Sequence, residues 1–288
     1  MMFLLNMISK MKHDTPLGSR IASVHNGSSL FTGDAGQGES EIRKHIIEND
    51  WLEAIIQLPA NMFYNTGIPT FIWIITNRKP ENKKGKVQLI NATSDKFYKK
   101  MKKSLGEKQN EMFNNHVNLI TDMFMRFETN NDSMIFDNSD FGYTKISVEK
   151  LKSTDDLMED EKFVELETKD EIIAKLKEIE EQKVEFKTRA DFIKYLDVKL
   201  TKTQQNILIE KDNEKIALKD DIQAYYDKEV KPFVPSSWID WDSAKVGYEI
   251  LFMKYFYTYT NPRTLSDIAK DLKALEEETE DLLDEFVS

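Results

Sequence analysis

Three apolar runs set close together, Leu52–Leu58, Thr70–Thr76 and Val87–Asn91, constrain the fold of this chain more than any other feature. The second consists entirely of β-branched and aromatic residues, the composition of a buried strand. Pro59 ends the first run, because a proline has no N–H to give to a sheet ladder. The link from Leu58 to Thr70 holds no clear helix, so the two strands are predicted to pair antiparallel instead of through a crossover. That link carries an aromatic loop, Phe63-Tyr64-Asn65-Thr66-Gly67.

The flanking sequence has the same α/β texture. Phe3, Leu4, Met7, Ile8 and Met11 fall at helical spacing and predict an amphipathic helix over Met1–Lys12. The run is too short for a signal peptide, and its lysines follow it instead of preceding it. A turn at Pro16-Leu17-Gly18 leads to a predicted strand, Arg20–His25. Then come a loop with Gly33, Gly36 and Gly38 and a helix over Glu39–Asn49, with Ile42, His45 and Ile46 on one face. The glycine loop lacks both Gly-x-Gly-x-x-Gly and Gly-Lys-Ser/Thr, and Asp34 would repel a phosphate. It is read as a flexible loop at a strand end.

Beyond residue 95 the texture changes. Lys96–Phe127 is predicted mostly helical, and Ser133–Ile146 a hairpin or extended pair. From Glu149 to about Asp227 the chain is charged and strand-poor, predicted as several helical pieces, with no Gly between Gly142 and Gly247. The final element is a helix over Thr264–Phe286, with Thr264 as N-cap and Asp267 completing a capping-box variant. Leu265, Ile268, Leu272, Leu275, Leu282 and Phe286 make an apolar seam at coiled-coil spacing, interrupted by Thr279. Asn261-Pro262-Arg263-Thr264 is a cap for this helix.

The chain has 288 residues, no Cys and a net charge of −11, which exclude a disulfide scaffold, a thiolate zinc site and indiscriminate nucleic-acid binding. No stretch approaches the length needed to span a membrane, so a soluble, cytoplasmic protein is expected. His13, His25, His45 and His116 are scattered without ligand spacing. Asp240 and Asp242 lack a nearby nucleophile and are read as part of a capping turn. The acidity is uneven: between Arg78 and Lys108, eleven Lys/Arg stand against three acids. Lys83, Lys84, Lys86, Lys99, Lys100, Lys102 and Lys103 could follow DNA phosphates, although the same pattern fits a solvated charged helix.

Three stretches resemble the modification (M) subunit of type I restriction–modification systems, which are adenine-N6 DNA methyltransferases. The first is Phe31–Ile90. The second is Phe136–Val148, with Phe-Asp-Asn followed by Asp-Phe-Gly-Tyr. The third is Asp227–Val287, with Val-Lys-Pro-Phe-Val-Pro-Ser-Ser-Trp-Ile-Asp. The resemblance implies an α/β region followed by α. In its terms this is the C-terminal half of a Rossmann-like S-adenosylmethionine-dependent methyltransferase sheet plus a helical C-terminal domain. Expected divisions are 1–95 for the methyltransferase half, 96–150 for a basic helical and hairpin transition, and 151–288 for the helical part.

The resemblance also assigns roles. Phe63 best matches the aromatic that stacks on the flipped adenine, with Tyr64 second; the alternative is that Phe63 plugs a gap beneath the sheet. The seam Leu265–Phe286 would dock the specificity subunit, or else pack internally. Implied partners are double-stranded DNA, the specificity and restriction subunits of the same system, and a missing N-terminal half. No Asn-Pro-Pro-Phe/Tyr tetrapeptide and no cofactor loop occur in the chain. The expectation is therefore the C-terminal part of such an enzyme, inactive alone and not binding S-adenosylmethionine alone. The rival is a non-enzymatic module that docks a partner on DNA.

Overall fold

In the computed structural model, residues 1–257, 259 and 261–287 are described, without the side chains of 277, 278 and 280–287. They form two units, Met1–Phe252 and Met253–Ser288, each taken by itself.

The first unit opens with α1 (Met2–Ile8), β1 (Arg20–Asn26) and α2 (Gly38–Glu48). Next come β2 (Leu52–Gln57), β3 (Thr70–Thr76) and β4 (Lys86–Asn91), the three apolar runs. β3 lies between β1 and β2 and is antiparallel to both, which bears out the predicted pairing. β4 runs parallel to β2 on its other side. Every residue of β2 is buried, as its sequence required. Trp73 is fully buried on β3 and donates its indole N–H to Ser29 Oγ at 3.2 Å. β1 is the sheet's edge.

The next segment departs from expectation. Lys96–Phe127 is not one helix: β5 (Lys99–Leu105) and β6 (Lys108–Glu111) form a two-stranded ribbon before α3 (Asn114–Arg126). Gly106 turns the ribbon at φ +63, a left-handed conformation that a continuous helix cannot include. Ser133–Ile146 is extended but is not a hairpin. β7 (Ser133–Asp137) closes the first sheet against β4, giving the order β1-β3-β2-β4-β7. β8 (Gly142–Leu151) belongs to a second sheet.

That sheet corrects the strand-poor reading of residues 149–227. β9 (Ile209–Ala217) and β10 (Trp238–Tyr248) flank β8 in the order β10-β8-β9. β9 was hidden by its charges: as an edge strand it buries only Ile209 and Ile216 and exposes Glu210–Asn213. Asp240 and Asp242 lie in β10, not in a capping turn. Between β8 and β9 stand α4 (Thr154–Glu159), α5 (Glu161–Val164), α6 (Lys169–Gln182), α7 (Arg189–Leu196) and α8 (Lys202–Ile207). Their core of Phe163, Leu176, Phe192 and Leu196 closes over Trp238.

Arg43 of α2 ties the two sheets together. Its buried guanidinium donates to the carbonyls of Tyr248 at 2.6 Å, Ser29 at 3.1 Å and Thr32 at 2.8 Å. Three acceptors offset the cost of burying the charge. Beside it, burial and the neighbouring Glu48 carboxylate push the Tyr248 phenol up to about 12.

The second unit contains a helix over Leu265–Val287. Thr264 Oγ1 accepts from the Asp267 N–H at 3.2 Å, the expected cap. Leu265, Ile268, Leu272 and Leu275 are exposed on it, whereas the predicted docking side chains of Leu282 and Phe286 lie outside the described residues.

Candidate nucleic-acid interface

The aromatic loop leaves β2 at Leu58 and returns at Thr70, and the Leu58 N–H to Thr70 carbonyl bond of 2.8 Å closes its base. Above that closure Asn61 takes φ +57, a left-handed conformation that asparagine tolerates better than most residues. Its N–H reaches the Gly67 carbonyl at 3.1 Å and pinches the loop. An isolated bridge between Phe63 and Thr66 tightens the tip. Phe63 is 39% exposed and Tyr64 60%, so both rings are available at the surface.

The lysine ribbon is fastened to this loop. Glu107, at the turn, donates its N–H to the Tyr64 carbonyl at 3.0 Å. Lys108 Nζ donates to the Met62 carbonyl at 3.1 Å and stands 5.7 Å from the Tyr64 ring centroid, within cation–π range. The Gln109 and Asn110 N–H groups both reach the Asn61 carbonyl, at 2.9 and 3.1 Å. Asn110 Nδ2 adds a bond to the Ala60 carbonyl at 2.8 Å. A Cβ on Gly106 would lie 2.7 Å from the Tyr64 carbonyl oxygen, so only glycine allows this approach.

On the outer strand Lys99, Lys100, Lys102 and Lys103 are all exposed. The pairing is regular at Lys99 and Lys100 and shifts register between Lys100 and Leu105, where Lys102 and Lys103 lie. Lys100 sits opposite Asn110, the residue bonded to the loop. The structure therefore brings the predicted stacking aromatics and four of the predicted phosphate lysines onto one continuous hydrogen-bonded piece. Lys84 and Lys86 are also exposed.

Lys83 is a correction. Its side chain is buried, with Nζ bonded to Glu53 Oε1 at 3.3 Å and the Phe124 carbonyl at 3.1 Å. Nζ also stands 3.9 Å from the Phe124 ring centroid. It cannot face a phosphate.

The glycine loop before α2 lies beside the second sheet. Lys145 of β8 salt-bridges Asp34 at 2.8 Å, and that hydrogen bond foremost holds the Asp34 carboxyl below its ordinary range. A Cβ on Gly36 would meet the Lys245 side chain at 3.5 Å, and one on Gly247 would meet Ala35 Cβ at 3.0 Å. The loop touches the second sheet at these points, while Gly36, Gln37 and Gly38 stay exposed. A cleft of about 900 Å³ lies elsewhere, lined by Trp238, Trp241, Arg189 and Lys202. At its buried edge Glu149 is engaged by Arg189, Lys211 and the Trp238 indole, an internal tie. Among the described residues no group of His, Asp or Glu is arranged to hold a metal ion, and no helix is long and apolar enough to cross a membrane.

Sequence reasoning missed Asn61, Gly106, Glu107 and Lys108 as the elements that join loop to ribbon. The one available signal was Leu-Gly-Glu-Lys at 105–108, a turn composition inside what reads as a helix.

The aromatic loop and the ribbon lie within a stretch that matches a known family. The N-6 DNA Methylase family matches residues 1–172. The chain belongs to that family. It is 31% identical over 174 residues to the type I restriction enzyme MjaIX methylase subunit of Methanocaldococcus jannaschii, covering 59% of this chain and 29% of that protein. It is 38% identical over 80 residues to the type I restriction enzyme HindI methylase subunit of Haemophilus influenzae, covering 28% of this chain and 17% of that one. A solved methyltransferase subunit of the type I restriction–modification system from Streptococcus thermophilus shares 29% identity, with a TM-score of 0.40 over 49% of this chain and 27% of that one. The chain thus spans less than a third of the length of these relatives.

Proposed function

We propose that this chain is the DNA-holding part of an adenine-N6 methyltransferase subunit of a type I restriction–modification system. The supporting observation is the bonding of the aromatic loop to the lysine ribbon. Phe63, with Tyr64 beside it, stacks on an adenine extruded from the duplex, since a base can be modified at N6 only outside the stack. Lys84, Lys86, Lys99, Lys100, Lys102 and Lys103 neutralise phosphates and set the register without reading sequence. S-adenosylmethionine supplies the methyl group to the whole enzyme. The residues that bind it and those that hold the adenine amino group come from outside these 288 residues, whether on a longer chain or on another one. The exposed face of Leu265, Ile268, Leu272 and Leu275 docks the specificity subunit of the same system.

Methyl transfer tests this reading. The chain combined with the N-terminal portion of a related methylase subunit should label adenine in duplex DNA, and the chain alone should not. Phe63→Ala should lower the combined activity about tenfold or more, the loss of one stacking surface, with S-adenosylmethionine affinity unchanged. Turnover by the chain alone, or parallel loss of cofactor binding and activity in Phe63→Ala, would refute it.

A further inference from the structure

We propose that Asn61 is the positioning residue that couples the lysine ribbon to the aromatic loop, so that phosphate contacts made by the ribbon fix where Phe63 and Tyr64 stand. The inference rests on the DNA-holding reading above.

Asn61 is bonded on three sides. Its N–H closes the loop on Gly67, and its carbonyl accepts from the Gln109 and Asn110 N–H groups of the ribbon. Its Nδ2 donates to the Glu107 carbonyl at 3.1 Å. Glu107 in turn donates to the Tyr64 carbonyl, so one circuit runs from Asn61 through the ribbon turn to the aromatic tip. Gly67 leaves room for this side chain, because a Cβ there would lie 2.9 Å from Asn61 Nδ2. The residue type is specific to the task. It must accept φ +57 without strain and offer an amide donor to a backbone carbonyl. Aspartate accepts the same backbone but sets a carboxylate oxygen against the Glu107 carbonyl. Glycine keeps the backbone and removes the donor.

The dependence is mutual. A two-stranded ribbon is marginally stable by itself, and this one gains its second anchorage from the loop. The loop has no helix or strand of its own to hold the two rings.

Hydrogen–deuterium exchange on the full chain, with and without a short DNA duplex, tests the coupling. In the unmodified protein the duplex should slow exchange over both 99–111 and 61–67. In Asn61→Asp the duplex should still protect 99–111, while the 61–67 amides exchange about two- to tenfold faster than in the unmodified complex, the range for one lost hydrogen bond. Asn61→Gly should behave likewise and decides the matter if the aspartate variant does not fold. Full DNA-dependent protection of 61–67 in Asn61→Gly, beside a protected ribbon, overturns the coupling and leaves the DNA reading intact. Absence of protection on the ribbon of the unmodified protein overturns the DNA reading, and the coupling with it.

Discussion

Lys83 and Glu53 are both buried and meet at 3.3 Å, Lys83 reaching in from the basic segment and Glu53 from the second strand of the sheet. Arg20 approaches the same carboxylate at 3.0 Å from the edge strand. A residue that composition groups with the phosphate-facing lysines therefore serves the core. Lys83→Gln should lower stability by about 1.5–3 kcal/mol, the range for a hydrogen bond to a charged group. Its effect on DNA affinity should be nil. Urea unfolding and a DNA titration, run side by side, separate the two.

Gly106→Ala should cost about 1–3 kcal/mol, because alanine would have to hold φ +63 and press its Cβ on the Tyr64 carbonyl. Limited proteolysis should find the new cleavage in the ribbon and aromatic loop, with the first sheet still resistant. Unchanged resistance of the loop would show that the turn is not holding it.

His25 sits on the edge strand, its ring centroid 6.1 Å from that of buried Trp73 and its Nε2 without a hydrogen-bond partner. Burial, with the positive N-terminus adding to it, holds its pKa below the ordinary 6.5. Between the lowered folded value and 6.5 the unfolded chain binds more protons, so stability is complete above 6.5 and falls as pH drops through that window. His25→Gln should flatten this dependence. A pH series of melting temperatures with identical slopes for both proteins would contradict the assignment.

The edge strand Arg20–Asn26 is paired on one side only and exposes Val24. Such an edge invites another strand. Light scattering at high concentration should detect self-association, and Val24→Lys should reduce it. A strictly monomeric unmodified protein would count against this.

Leu272 and Leu275 are each 60% exposed on the C-terminal helix. Leu272→Asp with Leu275→Asp should abolish pull-down by a specificity subunit and leave the circular dichroism unchanged. Retained binding would dismiss the docking face.

What was legible followed periodicity and apolar content. Leu52–Leu58 and Thr70–Thr76 announce themselves because both faces are buried, and their antiparallel pairing follows from a helix-free link. The charged strands were not legible. Lys99–Leu105 and Ile209–Ala217 carry residues equally suited to a solvated helix, and what makes them strands lies elsewhere: pairing with Lys108–Glu111, which Asn61 holds, for one, and pairing along Tyr143–Leu151 for the other. Phe63 and Tyr64 could be singled out as exposed aromatics between strands. The clamp that holds them could not, because its bonds run mostly to backbone carbonyls that no side-chain pattern encodes.

The salt dependence of duplex binding tests the central claim most directly. Fluorescence anisotropy with a labelled duplex, repeated across salt concentrations, gives the slope of log affinity against log salt. Each phosphate contact contributes about 0.9 to that slope. Replacing Lys99, Lys100, Lys102 and Lys103 together with Gln should therefore shallow it by up to about 3.6, with the fold intact by circular dichroism. An unchanged slope in a folded quadruple variant would mean that the ribbon does not hold DNA.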